Sequence, residues 1–376
     1  MNLVEQLSTV SAETTSPGFT GAAISHAVLS PATPYPRPLP LLLEDPEIVP
    51  PWLAELHRAP KLPTPSPIRC YFIRDLLVVG HDVTFVDGRM CIGTEMIPAY
   101  RAAQIQGPHA ALIEERLRLP TRVIEEPCFP IAADGVVYGH FLIEALPRLF
   151  AVKSVLGSVL PEYRVLVIKA LPGWARTIMA DVFDIKPDDL IEYDPSAERI
   201  CLKQAIWPSL AITNDCMHVF NNRMVEWLFA RFVTEGGLAL QRIFIMRSFF
   251  RNPAMCDIGF ENEHEVAEIA AREFGFCPLA PETLPWPDQI RLFAGARMIV
   301  GRYGSGLHNT LLCRPGARVG VIRFGNLVQS SISALRSQRL AYTVDGGERV
   351  PFSANIDHVR RVLEAVVNEG EKEAWN

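Results

Sequence analysis

A chain of 376 residues exceeds what one small hydrophobic core organises and points to two domains of ordinary size. With 49% hydrophobic and 21% charged residues it can bury a large core, which excludes wholesale disorder. A net charge of -6 excludes bulk binding to nucleic acid, although a local basic cleft survives that average.

The cysteines, at 70, 91, 128, 201, 216, 256, 277 and 313, form no Cys-x-x-Cys pair. Neither a zinc knuckle nor a disulfide framework is indicated, and the chain reads as a reduced, cytoplasmic protein. No apolar run reaches the roughly 18 residues of a membrane span, and the first residues lack the charged-then-apolar layout of a signal peptide. Peripheral association at the inner face of a membrane stays open, without a basic amphipathic helix to carry it.

The first thirty residues are polar, small and rich in Ser and Thr, fitting a mobile tail or a lead-in helix. From Pro31 to Pro67 prolines recur, which predicts an extended segment lying over the surface. Structure is expected to start at Ile68, where two stretches rich in β-branched and aromatic residues flank Gly-His-Asp and Asp-Gly turns and predict hairpins. A helical pattern covers Ala110–Leu119. The stretch from Gly135 to Val155 begins like a strand and runs into an apolar helix. Arg164–Lys169 predicts a buried strand, Pro172-Gly173 opens an amphipathic helix, and a short strand is expected at Ala205–Trp207. A long helix is predicted from Val219 to Val233, stopped by Gly236-Gly237.

The second half repeats the alternation. Gln241–Met246 predicts a strand, Glu261–Gly275 a helix with a glycine stop, and Pro287–Ala296 another helix. Arg297–Phe324 follows as strand, glycine-rich turn, short helix, Pro-Gly stop and strand. A helix at Ser330–Arg336, a strand at Leu340–Val344 and a last helix at Ile356–Asn368 complete the chain. Strands alternating with helices imply parallel sheets covered on both faces, in two halves joined near Glu235–Leu240. The expected division is an N-terminal extension over 1–67, a first α/β domain over 68–236, a second over 237–350 and a C-terminal helix over 351–376 that lies back across the first domain.

Three groups of residues carry chemistry. The turn after Val300 holds Gly301, Tyr303, Gly304, Ser305, Gly306 and Asn309. Its glycines let a ligand approach the backbone, and Ser305 as N-cap would leave helix-end N–H groups facing a phosphate or diphosphate. An ordinary βα turn uses the same glycines for its geometry alone. Arg247 sits just beyond a strand, with Arg251 a few residues on and Glu261, Asn262 and Glu263 at a helix start. Two such cations suit a diphosphate, or they pair with Glu261 and Glu263 in a solvated loop. His140 and Glu144 stand at i and i+4 on one helix face. The apolar neighbours of Glu144 would desolvate its carboxylate and make it a stronger base. A core hydrogen bond between the pair is the simpler alternative, and two ligands without a third make no metal site.

The order Gly-His-Phe-Leu-Ile-Glu-Ala-Leu-Pro-Arg-Leu, then Arg247 and Arg251 before Asn262-Glu263, then Gln289, Ala296 and the glycine turn resembles glycosyltransferase family 61. The resemblance covers about residues 125–325. It matches His140, Glu144, Leu146-Pro147-Arg148-Leu149, Arg247, Arg251, Gly301, Gly304, Gly306, Leu307 and Asn309. It departs at Tyr303, where the family has His, at Ser305, where it has Ala, and at His308, where it has Thr. The acidic residue common after the family's Pro-Gly is absent from Val319–Phe324.

The resemblance implies an α/β, GT-B-like fold of two Rossmann-type domains facing across a cleft. It implies a nucleotide-sugar donor, a glycan acceptor and transfer with inversion in the assembly of a surface or exported polysaccharide. Glu144, with His140, would be the base. Arg247, Arg251, Tyr303, Gly304, Ser305, Gly306, Asn309 and Glu263 would bind the donor. With no Asp-x-Asp in the chain, neither metal nor other cofactor is expected. Two alternatives from other classes are a non-catalytic sugar-binding relative and a dinucleotide-dependent oxidoreductase. The latter wants an acidic residue where Val319–Asn326 has none.

Overall fold

The computed structural model describes residues 24–43, 64–81, 83–91, 103–104, 107–131, 136–157, 162–213, 216–233, 240–247, 261–323, 327–344 and 353–368. The chain forms two compact units. One comprises Met1–Thr33 and Thr64–Asn221, the other Pro34–Pro63 and Asn222–Asn376. The division thus falls earlier than the expected 236/237.

The described elements of the first unit begin with β1 (Ile24–Ser30); β2 (Leu41–Leu42) belongs to the second. The first unit continues with β3 (Ile68–Val79), β4 (Val83–Val86), β5 (Arg89–Met90), α1 (Ala110–Arg116), β6 (Thr121–Ile124) and β7 (Cys128–Pro130). After α2 (138–156) come β8 (Arg164–Ile168), α3 (Gly173–Phe183), β9 (Leu190–Tyr193) and β10 (Arg199–Pro208). A small ribbon of β11 (Ile212–Thr213) and β12 (Cys216–Met217) leads into α4 (Phe220–Phe232), where the unit ends.

Its main sheet runs β5-β4-β3-β10-β7-β8-β9, with β1 also on β3 and β6 on β10. The pairs β5-β4, β4-β3, β3-β10 and β1-β3 are antiparallel. The pairs β10-β7, β7-β8 and β8-β9 are parallel, with α2 and α3 as crossovers. The expectation of a Rossmann-type first domain therefore holds for only one side of the sheet. Turns as short as Gly80-His81 and Asp87-Gly88 cannot carry the crossover that a parallel neighbour needs, so the hairpin side is antiparallel.

The second unit contains β2, most of α4, β13 (Arg242–Ile245), α5 (Glu263–Phe274), β14 (Cys277–Leu279), α6 (Trp286–Gly295) and β15 (Met298–Arg302). A 3-10 helix (Leu307–Leu312), β16 (Arg318–Ile322), α7 (Val328–Leu335), β17 (Arg339–Tyr342) and α8 (Ile356–Val367) follow. Every neighbour pair in its sheet, β14-β13-β15-β16-β17-β2, is parallel. The runs Arg-Ile-Phe-Ile, Met-Ile-Val-Gly-Arg and Arg-Val-Gly-Val-Ile are apolar on both faces, as strands covered by helices require. The proline run, read as surface packing, contributes β2 as an edge strand, with Leu41 opposite Ala341. A two-residue edge position tolerates the prolines around it.

The last helix corrects an expectation. Instead of lying across the first domain, α8 packs on its own unit, against β16, β15 and α5. Asn355 caps it by accepting the N–H groups of Asp357 and His358, and Val359, Val362, Leu363 and Val366 form one buried stripe. That stripe meets Phe244, Val300 and Val266 in a shared core. Close packing is possible because β16 carries Gly320 at its centre. A Cβ there would lie 2.6 Å from Val362 Cγ1 and 2.9 Å from Val300 Cγ2. Among the described residues, no helix is long and apolar enough to cross a membrane. The seven described cysteines are free.

In the first unit His218 is buried and fixes the start of α4. Its Nδ1 accepts the Phe220 N–H at 2.9 Å, and its Nε2 donates to the Pro31 carbonyl at 2.9 Å. The bond from Phe220 needs the neutral ring, and burial pushes its pKa below 6.5 against the pull of the Pro31 carbonyl. The unfolded chain therefore binds the proton more readily, and stability falls as pH drops through 6.5. Chemical denaturation at pH 7.5 and 5.5 should show this loss, and His218→Asn, which keeps an acceptor for Phe220, should shrink the difference. A separate test concerns packing. Gly320→Ala should cost about 1–3 kcal/mol by overpacking, measured by urea unfolding, and less than that in a Val362→Ala background.

Candidate active site

The acidic group of the first unit sits in α2. The helix is α-helical over Tyr138–His140, widens into a π turn over Phe141–Ala145, and is α-helical again over Leu146–Leu156. Pro147 accounts for the widening. It has no N–H to give Ile143, and its ring would strike that carbonyl in a regular turn. In the π turn Leu146 donates to the Phe141 carbonyl instead. No strand precedes the helix at 136–137, where a strand-like start is expected.

His140 and Glu144 meet as predicted, with Nδ1 of His140 2.9 Å from Oε1 of Glu144. His140 is partly exposed, whereas Glu144 keeps only 4% of its surface open. The second oxygen, Glu144 Oε2, is buried and has no donor among the described residues. Leaving such an oxygen unpaired costs on the order of 1–3 kcal/mol, and a donor such as a hydroxyl placed there would offset that cost. Beside it Phe141 and Tyr138 pack edge-on against Trp174 at the start of α3, with centroids 5.3 and 5.5 Å apart. Arg148 lies over the Trp207 ring at 5.4 Å and is buried, so it serves the core.

In the second unit the chain leaves β13 for β14 on one side and returns to β15 on the other. Ligands of open α/β sheets bind at the carboxyl ends of strands where the order reverses in this way. Arg247 follows β13 there and the glycine turn follows β15, and the two touch. Arg247 Nη1 donates to the Tyr303 carbonyl at 3.3 Å. A Cβ on Gly304, whose φ is 147°, would lie 1.7 Å from that Nη1. Gly301 and Gly306 make similar room for Ile245, at 3.0 and 3.3 Å. Glu263 is buried and accepts the backbone N–H of Arg247 at 2.8 Å, so it shapes the loop that carries the arginine. Asn262 grips the backbone of Ala354 with bonds of 2.8 and 3.0 Å. Gln289 is buried and donates to the Leu284 carbonyl at 3.0 Å.

The turn itself differs from the expectation in one respect. A 3-10 helix follows it, and Ser305 does not cap that helix, whose N-cap is Gly306 without a side-chain bond. The N–H groups of Leu307, His308 and Asn309 donate back to Gly304, Ser305 and Gly306 at 2.9, 3.2 and 3.3 Å. A tight i to i+3 turn uses the donors that a capped α-helix would have turned outward. The N–H groups of Gly304, Ser305 and Gly306 are the ones without an acceptor among the described residues. Asn309 is fully buried and offers a ligand no surface, and the Tyr303 ring stands edge-on to His308 at 6.2 Å. Arg251 lies outside the described residues.

Sequence reasoning passed over two further cations. Arg302 ends β15 and Arg323 follows β16, on the same edge as Arg247. Burial, with Arg247 and Arg323 nearby, brings Arg302 down to about 10, opposed by Glu263. Burial also lowers Arg247, opposed by Glu263, Glu282 and Tyr303. An arginine at a strand end reads in sequence as a solvated terminus, and the only available signal was its recurrence after successive strands. Among the described residues no group of three or more His, Cys, Asp or Glu could hold a metal ion.

Residues 138–320 match the family model described as Glycosyltransferase 61. The chain carries a glycosyltransferase family 61 domain. The match opens on the first residue of α2 and closes on Gly320 in β16, so the family 61 stretch holds the His140–Glu144 pair, Arg247 and the glycine turn together. A search of curated proteins returns no match.

Gly304→Ala tests whether this turn binds an anion. The added methyl meets the far end of the flexible Arg247 side chain and strains the turn backbone at φ 147°, so Arg247 and the turn should both shift locally. The expected result is loss of pyrophosphate-induced thermal stabilisation, with the variant itself remaining folded by circular dichroism.

Proposed function

We propose that the protein is an inverting, metal-independent GT-B glycosyltransferase that moves a sugar from a nucleotide-sugar donor to a glycan hydroxyl. The observation that carries this reading is the buried, donor-less Oε2 of Glu144, with Oε1 held by His140, inside a family 61 stretch. In this reading the acceptor hydroxyl gives its proton to Glu144 as its oxygen attacks the anomeric carbon. The bond from that carbon to the diphosphate oxygen breaks on the opposite side, which inverts the centre. The leaving nucleoside diphosphate keeps the bonding pair. Arg247 and the N–H groups of Gly304–Gly306 meet its charge, with Arg251 as the family motif's second cation. Fixed guanidinium groups supply the positive charge that a divalent ion supplies elsewhere, which is the ground for metal independence.

The family 61 resemblance supports a role in polysaccharide assembly, with the active site on the cytoplasmic side where nucleotide sugars are made. His140 orients Glu144 and, being partly exposed, passes the proton onward to water.

Glu144→Gln keeps the shape and the His140 contact but removes the base. Release of nucleoside diphosphate from a nucleotide-sugar panel with glycan acceptors should fall at least about 100-fold. Donor-induced thermal stabilisation should persist, and a chelator should leave wild-type turnover unchanged. Undiminished turnover in the variant would rule out Glu144 as the base. Binding of sugar nucleotides by a wild-type protein with no turnover at all would favour a non-catalytic relative.

A further inference from the structure

Glu144 has aromatic company at its end of the first unit's sheet. β7 and β8 are parallel neighbours, with Pro130 opposite Leu166. α2 follows β7 and α3 follows β8, so both helices start at the carboxyl edge of this strand pair. Open α/β sheets bind ligands on that edge. α3 buries Ala175, Ile178, Met179, Val182 and Phe183 along its length. Trp174 stands ahead of that stripe and leans on α2, its ring centroid 5.5 Å from Tyr138 and 5.3 Å from Phe141. Both contacts are edge-on, at 70° and 89°, and among the described residues no ring stacks parallel on the indole. Phe141 is buried, whereas Tyr138, His140 and Trp174 are half-buried and keep part of their surface open.

Phe141 opens the π turn that carries Glu144, so Trp174 packs on the same turn as the base. The other members of that turn, Leu142, Ile143 and Ala145, are apolar and buried and offer a ligand nothing to hold. Glu144 Oε2 is buried and has no donor among the described residues. A hydroxyl meets such an oxygen in a productive line only when the rest of its molecule is held in place. A pyranose carries hydroxyls around its rim and C–H bonds on its faces. Those C–H bonds are weakly positive and the face of an aromatic ring is negative, so the two surfaces attract while both leave water.

We infer that Trp174, with Tyr138 beside it, is the acceptor platform. A neutral pyranose of the glycan lies with its C–H face on the indole and turns a hydroxyl toward Glu144. This assignment rests on the reading of Glu144 as base and adds to it how the acceptor is recognised.

The test is saturation-transfer NMR on the full chain, with the methyl β-glycosides of glucose, galactose, N-acetylglucosamine and xylose as probes. Irradiating the aromatic protons should saturate the ring C–H protons of at least one glycoside, and titration gives its Kd. Trp174→Leu fills the space against Phe141 without an aromatic face and should weaken that glycoside about tenfold. Trp174→Phe, which keeps a face, should retain part of the affinity. Circular dichroism and nucleotide-sugar-induced thermal stabilisation should match wild type in both variants. Wild-type affinity in the leucine variant overturns the platform, and so does an equal loss in the leucine and phenylalanine variants. Independently of any variant, it is overturned if no glycoside is saturated by a wild-type protein that a nucleotide sugar stabilises. In each of these cases the transferase reading stands. Glycoside binding that depends on Trp174, in a protein that no nucleotide sugar stabilises, keeps the platform and overturns the transferase reading instead.

Discussion

The proposed anion site depends on how closely the turn after β15 approaches the end of β13. Three side-chain-free positions make that approach possible. Gly301 and Gly306 leave space for Ile245, and Gly304 leaves space for the Arg247 guanidinium. From the other side Glu263 holds the Arg247 backbone N–H at 2.8 Å. The arginine is thus fixed by its own main chain and by the carbonyl of Tyr303, so little ordering remains for a ligand to impose. Sheet topology decides where this happens, because β13 and β15 are the strands between which the chain reverses direction.

The two units supply different kinds of chemistry. The first offers one carboxylate, sealed from water in a π turn that Pro147 imposes and steadied by an imidazole. The second places Arg247 and Arg302 at neighbouring strand ends, with Glu263 acting on both and Glu282 on Arg247. In both places the polar group is held under conditions that cost stability. These are a donor-less buried oxygen in one case and crowded cations in the other. Such costs persist in folded proteins chiefly where a ligand relieves them.

Much of this was readable from residues alone, for definite reasons. The second unit's strands are short runs apolar on both faces, and its helices carry glycine stops, so pattern and structure coincide from Arg242 to Tyr342. The His140–Glu144 contact follows from four-residue spacing on a helix. What escaped reading depended on distant partners. β1, β2, β6 and β7 are short or lie among prolines and charges, and they become strands only because β3, β17 and β10 offer edges. The destination of α8 was hidden because a valine stripe states what is buried and not against what, and Gly320 receives it from a remote part of the chain. Ser305 was read as a cap from its residue type, whereas the turn closed on i to i+3 bonds that leave a cap nothing to hold. Arg302 and Arg323 became visible only once β15 and β16 lay side by side.

The edge strand β2 has a consequence for the order in which the molecule is made. Leu41 pairs with Ala341, so the second unit's sheet takes its outermost strand from near one end of the chain and the strand beneath it from near the other. The whole of Thr64–Asn221 is spelled out in between, as an insertion that can collapse on its own. At about 5–20 residues per second, the ribosome needs tens of seconds to deliver β17 after β2 has emerged. Through that interval Leu41–Leu42 has no β17 to pair with. The neighbouring Pro38 and Pro40 lack the backbone donors that pairing with another chain's edge would use.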